Sequence, residues 1–475
     1  MNSGNPSKRL LSLTLLYTVG NLATRLINFG LVFVTTFYLS KEEVGEYDLF
    51  IITLSLLTPI ATLQLAESAL RWLLEDAGPE RVRLVVSNIS AMLMGCLALM
   101  GLFFGIFRFL NLYENESALF VLVFFQSFFI VFQQMVRGIG LNQLFVRSSI
   151  LYSLIYALLA GLSLVFTQAK INGLIAANVL GSVVTCIYLV WSGNLSRYLS
   201  FSAVSWDFSR TLLGYSIPLI PNTLSWWAIS SANRYFILAW CGKAANGIFS
   251  ISQKIPTLLL LFTGIFYQAW QEKSLSLQPG TQVGAYQGKI FGMYVRIMFA
   301  ITIGIVSTAR FLMHFLVSPQ FFEAWKYTGI LLLGVVFNSL SSFLGTSYLS
   351  RKDTRGAMVS SLAGGAATVL ASWILVPPFG LYGAGAGILI GYLLVFSLRL
   401  YDARKHDQIS FPSDVFVQMM GLFLASSFIA FQASFWLDVA NILISGILLF
   451  FFNRSLLVEF FNTRRRKIPA PSPQT

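Results

Sequence analysis

Three basic residues lie deep inside long apolar runs of this sequence, where a charged side chain needs water or a partner. They are Arg25, Arg234 and Lys254. Placing an arginine or a lysine at the centre of a bilayer costs about 2.5 to 3.5 kcal/mol on insertion scales. Arginine also binds phosphate oxygens through two parallel N–H donors. These residue types in these surroundings predict an anion-binding site inside a membrane.

The neighbours of Arg25 recur at helical spacing. Asn21, Arg25 and Asn28 are separated by four and three residues, so they share one face of a helix. Other polar residues within the apolar runs extend the candidate substrate-binding set, namely Gln64, Gln133, Asn222 and Gln253. We expect the set to line a watery cavity of net positive charge, which would concentrate anions and repel cations.

Acidic residues are almost absent from the same runs. Of the 19 Asp and Glu residues, Glu67 alone is predicted to lie well within a span. Arg71 follows Glu67 by one helical turn, so we interpret the two residues as an ion pair or as a coupling site.

The sequence has no pattern that is typical of a metal or nucleotide site. Cys96, Cys186 and Cys241 lie in apolar surroundings without CxxC or Cys/His spacing, so we expect free thiols. A Walker-type lysine motif is also missing from the sequence. We therefore expect no metal, no cofactor, and no direct use of ATP.

The composition is that of a polytopic membrane protein. Of the 475 residues, 56% are hydrophobic and only 11% are charged. Apolar runs long enough to cross a bilayer follow one another with short connections. Fourteen spans are predicted, approximately at 10–39, 48–74, 84–108, 117–136, 148–168, 171–194, 211–240, 244–271, 290–316, 327–349, 357–376, 380–398, 413–436 and 437–454.

The basic residues predict the orientation of these spans. With the N-terminus inside, 23 of the 32 Lys and Arg residues fall on cytoplasmic segments or span ends and six fall on external ones. This asymmetry follows the positive-inside rule and places both termini in the cytoplasm. It also accounts for most of the net charge of +13, so we expect no nucleic acid partner.

The two halves of the chain repeat weakly. "VGEYDLFIITLSLL" aligns with "NGIFSISQKIPTLL", which matches Gly45 with Gly247 at an offset of 202 residues. Two further matches, near spans 5 and 6, have offsets of 208 and 210. We predict an all-α fold with two pseudo-symmetric lobes of six helices, 1–205 and 206–410, and a C-terminal pair of helices with a basic tail, 411–475. Substrate sites in duplicated transporters lie between the lobes.

Several stretches resemble one transporter family. "NRYFILAWCGKAANGIFSISQKIP", "GTSYLSRKDTR" and "PPFGLYGAGAG" are similar to segments of the Wzx-type oligosaccharide flippases, which belong to the multidrug/oligosaccharidyl-lipid/polysaccharide exporter superfamily. One position departs from the family pattern, because Asn233 stands where an acid commonly precedes the arginine. This change removes a counter-ion for Arg234 and argues against a coupling role there.

The resemblance implies a transporter and not an enzyme. The implied cargo is a glycan linked to undecaprenyl pyrophosphate, moved by alternating access across the bacterial inner membrane for O-antigen, capsule or exopolysaccharide assembly. Membrane lipid is a further partner, and a polysaccharide polymerase and a chain-length regulator are candidate protein partners. Two alternatives stay open: a multidrug or cation antiporter of the same superfamily, and a lipid II flippase.

Overall fold

The fold is built from helices that correspond to the predicted spans. The computed structural model describes residues 6–75, 78–109, 116–276, 281–351, 353–432 and 434–466, and within these ranges it contains no strand. The α-helices are α1 (Pro6–Tyr38), α2 (Lys41–Ala61), α3 (Leu65–Glu75), α4 (Pro79–Phe109), α5 (Glu116–Gly138), α6 (Asn142–Phe166), α7 (Lys170–Ser192), α8 (Trp206–Ser216), α9 (Ile220–Ser231), α10 (Asn233–Ser252), α11 (Lys254–Ser276), α12 (Thr281–Leu316), α13 (Trp325–Arg351), α14 (Thr354–Asp407), α15 (Ser413–Phe431) and α16 (Phe435–Arg466). Short 3-10 helices cover Leu195–Tyr198, Phe201–Ala203, Ile217–Leu219 and Pro319–Ala324.

The predicted all-α membrane fold is confirmed. All fourteen predicted spans fall on these helices. In the part of the chain that the structure describes, nine helices are long and apolar enough to cross a bilayer, and Phe435–Phe451 is a shorter apolar helix. The protein is therefore a multi-pass membrane protein.

Glycine marks two of the span boundaries. Gly242 divides α10, and Gly380 divides α14 between predicted spans 11 and 12. Both residues have positive φ values, 83° and 56°, which glycine adopts at little cost because it has no Cβ. Pro377 and Pro378 precede the second break and lack the N–H groups that would continue the helix.

The chain divides into two compact units. Unit 1 extends to Ile251 and includes Ser372–Ala384, and unit 2 comprises Ser252–Ala371 and the chain from Gly385 onward. The predicted lobe boundaries near residues 205 and 410 concern the sequence repeat and stay a prediction.

Each unit has its own packed interior. In unit 1 the core joins α3, α4 and α5 through fully buried leucines and isoleucines such as Leu73 and Ile89. In unit 2, Trp270 stacks on Phe343 with ring centroids 4.5 Å apart, and Phe343 also contacts Tyr294. Such ring pairs favour one arrangement of the helices that carry them.

Candidate functional site

Predicted span 2 is interrupted by a turn. After Pro59, which lies inside α2, Leu63 and Gln64 adopt left-handed φ values of 44° and 57°. This conformation is uncommon for residues other than glycine and is often found at functional sites. The Gln64 Nε2 group donates a hydrogen bond to Thr223 Oγ1 of α9 at 2.8 Å, which fixes the turn.

A polar cavity lies beside this turn within unit 1. Its volume is about 440 Å³. Ten of its lining residues have polar side chains: Ser55, Thr58, Thr62, Gln64, Glu67, Gln126, Gln134, Tyr152, Asn178 and Thr223. They belong to α2, α3, α5, α6, α7 and α9 and to the turn between α2 and α3. A concave site with several convergent polar groups is the usual form of a small-molecule site.

The charge of this cavity differs from the sequence-based expectation. Glu67 is the only charged residue among its lining residues, and neither Arg25 nor Arg234 is one of them. The cavity of unit 1 is therefore not the cationic chamber that we expected. Its amides and hydroxyls can both donate and accept hydrogen bonds.

The predicted polar residues reach different places. Gln64 lines the cavity, whereas Gln133 Nε2 donates to the hydroxyls of Ser148 and Ser149 on α6 at 3.0 and 2.8 Å. Asn222 is half-buried on α9, and its neighbour Thr223 is the residue that lines the cavity.

Arg71 forms its ion pair with Glu75 and not, as we expected, with Glu67. Arg71 Nε lies 3.4 Å from Glu75 Oε1, one turn further along α3, and the Arg71 guanidinium lies over the ring of Tyr215. In the described ranges, the carboxylate of Glu67 makes no ion pair and no hydrogen bond. Glu67 is thus an exposed acid at the cavity and not half of a surface ion pair.

Arg25 lies on an open face of α1. The opposite side of the helix packs on α6, where Gly20 is in close contact with Val146. Asn21, Arg25 and Asn28 are all exposed at the surface of unit 1. Among the residues that the structure describes, no acid lies within ion-pair distance of Arg25. The spacing-based prediction that these three side chains share a face agrees with this arrangement.

Arg234 has the opposite environment. It is only 4% exposed, and its Nε lies 3.5 Å from Oδ2 of Asp48, a residue of α2. Nη1 donates to Asn233 Oδ1 at 2.7 Å and to the Ser230 carbonyl at 2.9 Å, and the guanidinium lies over the ring of Phe249. The inference that Asn233 leaves Arg234 without a counter-ion was wrong, because Asp48 supplies one from another helix.

Asp48 is held where α2 crosses the second segment of α10. Ser250 Oγ donates to Asp48 Oδ1 at 2.8 Å, and Asp48 and Ser250 have the same 202-residue offset as the glycines that the repeat aligned. Gly45 and Gly247 meet at the crossing itself. A methyl group on Gly45 would overlap the Lys243 carbonyl oxygen, and one on Gly247 would overlap the Lys41 carbonyl oxygen.

Two further contacts close this crossing. Asn246 Nδ2 donates to the Gly45 carbonyl at 2.8 Å, and Lys243 Nζ lies 2.7 Å from Glu46 Oε2 at the exposed rim. The two repeated segments thus contact each other reciprocally, each glycine lying against the other helix. The backbones approach closely because both central residues are glycines. We call Gly45, Glu46, Asp48, Arg234, Lys243, Asn246, Gly247 and Ser250 the α2–α10 crossing.

Gln253 and Lys254 belong to unit 2. Both are half-buried, Gln253 just before α11 and Lys254 at the first position of that helix. Their predicted role beside Arg25 stays a prediction.

Sequence reasoning missed four residues for which partial signals existed. Gln126 lines the cavity together with Gln134, eight residues further along α5, whereas the sequence drew attention only to Gln133 and Gln134 in this helix. Asn178 and Tyr152 were not singled out, because their spans consist mostly of apolar or small residues. Asp48 was counted as a span end because the apolar run starts there, although α2 begins seven residues earlier at Lys41.

Comparison with known families identifies the chain. A sequence profile of the family described as "Polysaccharide biosynthesis protein" matches residues 10–270, more than half of the chain. The chain belongs to this family. No curated protein sequence matches the chain.

Solved structures share the fold of this family member. The lipid II flippase MurJ in an inward closed conformation superposes with a TM-score of 0.67 at 14% identity, covering 93% of this chain and 100% of MurJ. An inward-facing multidrug resistance MATE transporter of the MOP superfamily gives 0.65 at 14%, covering 81% and 94%. A MOP superfamily transporter from Pyrococcus furiosus gives 0.59 at 16%, covering 85% and 96%. The chain therefore shares the two-lobed fold of these solved structures.

Proposed function

We propose that this protein is a flippase for oligosaccharide linked to undecaprenyl pyrophosphate. It would lie in the bacterial inner membrane with both termini in the cytoplasm and supply surface polysaccharide assembly. A polysaccharide polymerase and a chain-length regulator would act on the translocated product. Membership of the polysaccharide biosynthesis family supports the transported class, and the distribution of basic residues supports the orientation.

The observation that carries the proposal is the environment of Arg25. It lies midway along an apolar helix of 33 residues, exposed and beside Asn21 and Asn28. A cation at this depth is stable only against water or an anion. The pyrophosphate of the cargo supplies the anion, while the lipid tail stays in the bilayer. Lys254 is the further cation proposed to hold phosphates or acidic sugars, whereas Arg234, which was predicted to share this role, is buried against Asp48.

The α2–α10 crossing is proposed to control the opening of the external side. The positive-inside orientation places Lys41 and Lys243 on the external side, so the crossing lies near the external ends of α2 and of the second α10 segment. Its contacts would hold the outer side closed while cargo binds from the cytoplasm. Separation of Asp48 from Arg234 would then accompany outward opening.

One observation favours a second function. Glu67 is an exposed carboxylate at the polar cavity, and a carboxylate in such a place can bind an organic cation or a coupling ion. This supports the multidrug or cation antiporter alternative. A lipid II flippase shares the pyrophosphate chemistry of the main proposal, so only the glycan distinguishes them.

The test is transport in cells and in proteoliposomes. Surface polysaccharide would be measured in cells that carry Arg25→Ala or Lys254→Ala at wild-type protein level, and a large loss is expected in each. Lys326→Ala is the matched control, because Lys326 is an exposed basic residue at the start of α13, predicted to lie on the external side. Wild-type polysaccharide in both the Arg25→Ala and the Lys254→Ala cells would contradict the proposal. Uptake of lipid II in place of the glycan precursor, or of an organic cation dependent on Glu67, would select the corresponding alternative.

A further inference from the structure

The unit 1 cavity has the wrong chemistry for a pyrophosphate. No lysine, arginine or histidine is among its lining residues, and Glu67 contributes a negative charge. A second anion placed beside Glu67 would be repelled at close range. The cavity therefore needs another ligand, or another part of the same ligand.

Its polar groups are only partly used by the protein. Tyr152 donates to Asn178 Oδ1 at 2.9 Å, and Ser182 donates to Gln126 Oε1 at 3.0 Å. In the described part of the chain, however, Gln134 forms no side-chain hydrogen bond, and its Oε1 is shielded from solvent without a partner. An unsatisfied buried acceptor costs about 1 to 3 kcal/mol, so its retention calls for an explanation.

The unused groups are spread over separate helices that face one volume. Gln134 is on α5 and Glu67 is on α3, just after the left-handed turn at Leu63 and Gln64. The turn tightens the chain so that Gln64 bonds across to α9 and the first turn of α3 borders the cavity. Strained backbone beside a polar cavity with unused hydrogen-bonding groups is the arrangement expected of a binding site.

We propose that this cavity binds an uncharged sugar residue of the cargo, separately from the pyrophosphate contact at Arg25. The inference rests on the proposed function and specifies which part of the cargo binds where. Sugar hydroxyls are both donors and acceptors. The Glu67 carboxylate would accept from two neighbouring hydroxyls, and Nε2 of the Gln134 amide would donate to a third. The volume of about 440 Å³ is in the range of small-ligand sites.

The experiment measures binding of two probes to the purified full-length protein in lipid nanodiscs. One probe is the oligosaccharide released from the host cell's own polyprenyl-linked precursor. The other is undecaprenyl pyrophosphate without sugar. The variants are Glu67→Gln, Gln134→Met and Arg25→Gln, each close in shape to the residue it replaces, and a thermal melt verifies that each one is folded. Gln143→Met is the matched control, because Gln143 is an exposed glutamine at the start of α6 and does not line the cavity.

We expect Glu67→Gln and Gln134→Met to weaken oligosaccharide binding about tenfold and to leave undecaprenyl pyrophosphate binding unchanged, since each removes a hydrogen bond to a sugar hydroxyl. Arg25→Gln should give the reverse pattern. Equal oligosaccharide affinity in wild type and both cavity variants would overturn this inference while leaving the flippase proposal intact. Absence of binding of both probes to wild type would overturn the proposed function itself, and loss of organic cation binding in Glu67→Gln without any sugar effect would replace the sugar with a cation.

Discussion

Arg25 and Arg234 are both arginines within apolar helices, yet the structure gives them opposite surroundings. Arg25 is exposed on α1 beside two asparagines, and the described chain offers it no acid. Arg234 is buried on α10 between Asp48, Asn233, Ser230 and Phe249. The difference teaches that a cation within a membrane helix has two distinct uses. An open one can bind an anionic ligand, whereas a paired one can hold two helices together.

The α2–α10 crossing differs from the Arg25 face in another respect. Its two sides occupy equivalent places in the repeat, but they carry different residues, Asp48 opposite Ser250. The backbone contact is therefore symmetric while the charge is not. Only one side can form the ion pair with Arg234, so loss of that pair cannot be compensated by the other half.

The largest expected effect comes from a covalent lock on the crossing. Glu46→Cys with Lys243→Cys, in a chain whose native cysteines Cys96, Cys186 and Cys241 have been replaced, joins two positions whose side chains meet at 2.7 Å. A bifunctional methanethiosulfonate reagent, which joins the two thiols through reducible disulfide bonds, should reduce transport to background, because the outer ends can no longer separate. The readout is flipping of the glycan precursor in proteoliposomes.

Reduction should restore transport in this double variant, and each single cysteine should leave it intact. Full transport with the cross-link formed would show that the crossing does not open during the cycle. That result would contradict its proposed role in holding the outer side closed.

The next effect is the loss of stability when the buried pair is broken. Arg234→Ala leaves Asp48, whose side chain is only 12% exposed, without its counter-ion and should lower the free energy of unfolding by about 3 kcal/mol. Arg25→Ala should change stability by less than about 0.5 kcal/mol, because its side chain is exposed and makes no ion pair. Thermal melts in detergent compare the two variants. Equal melting temperatures in the two variants would contradict the claim that Arg234 stabilises the fold and Arg25 does not.

A smaller effect is expected at the glycines. Gly45→Ala should weaken the crossing by about 1 to 3 kcal/mol, because the added methyl overlaps the Lys243 carbonyl oxygen and the helices must move apart. Gly30→Ala on α1 is the matched control. A Cβ there meets nothing within 4 Å, so the substitution should be neutral or slightly stabilising. Limited proteolysis or melting temperature measures both, and a neutral Gly45→Ala would argue against close backbone contact.

The smallest effect is expected at the exposed rim. Glu46→Gln removes the partner of Lys243, but these side chains are 36% and 52% exposed. An exposed ion pair contributes about 0 to 1 kcal/mol, so transport and melting temperature should both stay near wild type. Asp48→Asn on the same helix should differ clearly from it. If the two substitutions behaved alike, burial of the ion pair would not be the property that matters.

Much of this arrangement was predictable from the sequence, and the exceptions have physical causes. The shared face of Asn21, Arg25 and Asn28 follows from helical periodicity, which continues through an unbroken helix. The turn at Leu63 and Gln64 was not predictable, because neither residue is a glycine or asparagine and the run looks continuous in hydropathy. The role of Asp48 depends on a partner 186 positions away, and no local pattern reports such a contact.

The repeat illustrates the same limit. The alignment of Gly45 with Gly247 predicted equivalent positions, but it did not indicate that the two glycines touch. The cavity was missed for a related reason. Its lining comes from six helices and one turn, each of which contributes only one to a few polar residues. A glutamine within one span does not indicate which other residues it will meet, because tertiary packing alone brings them together.

The most direct test of the central claim is flipping of the undecaprenyl-pyrophosphate-linked glycan by purified protein in proteoliposomes, comparing wild type with Arg25→Ala. We predict that wild type translocates the glycan precursor. Arg25→Ala, folded with an unchanged melting temperature, should translocate it at least about ten times more slowly. Equal rates in the two proteins would contradict the claim that the open cation on α1 binds the anionic head of the cargo.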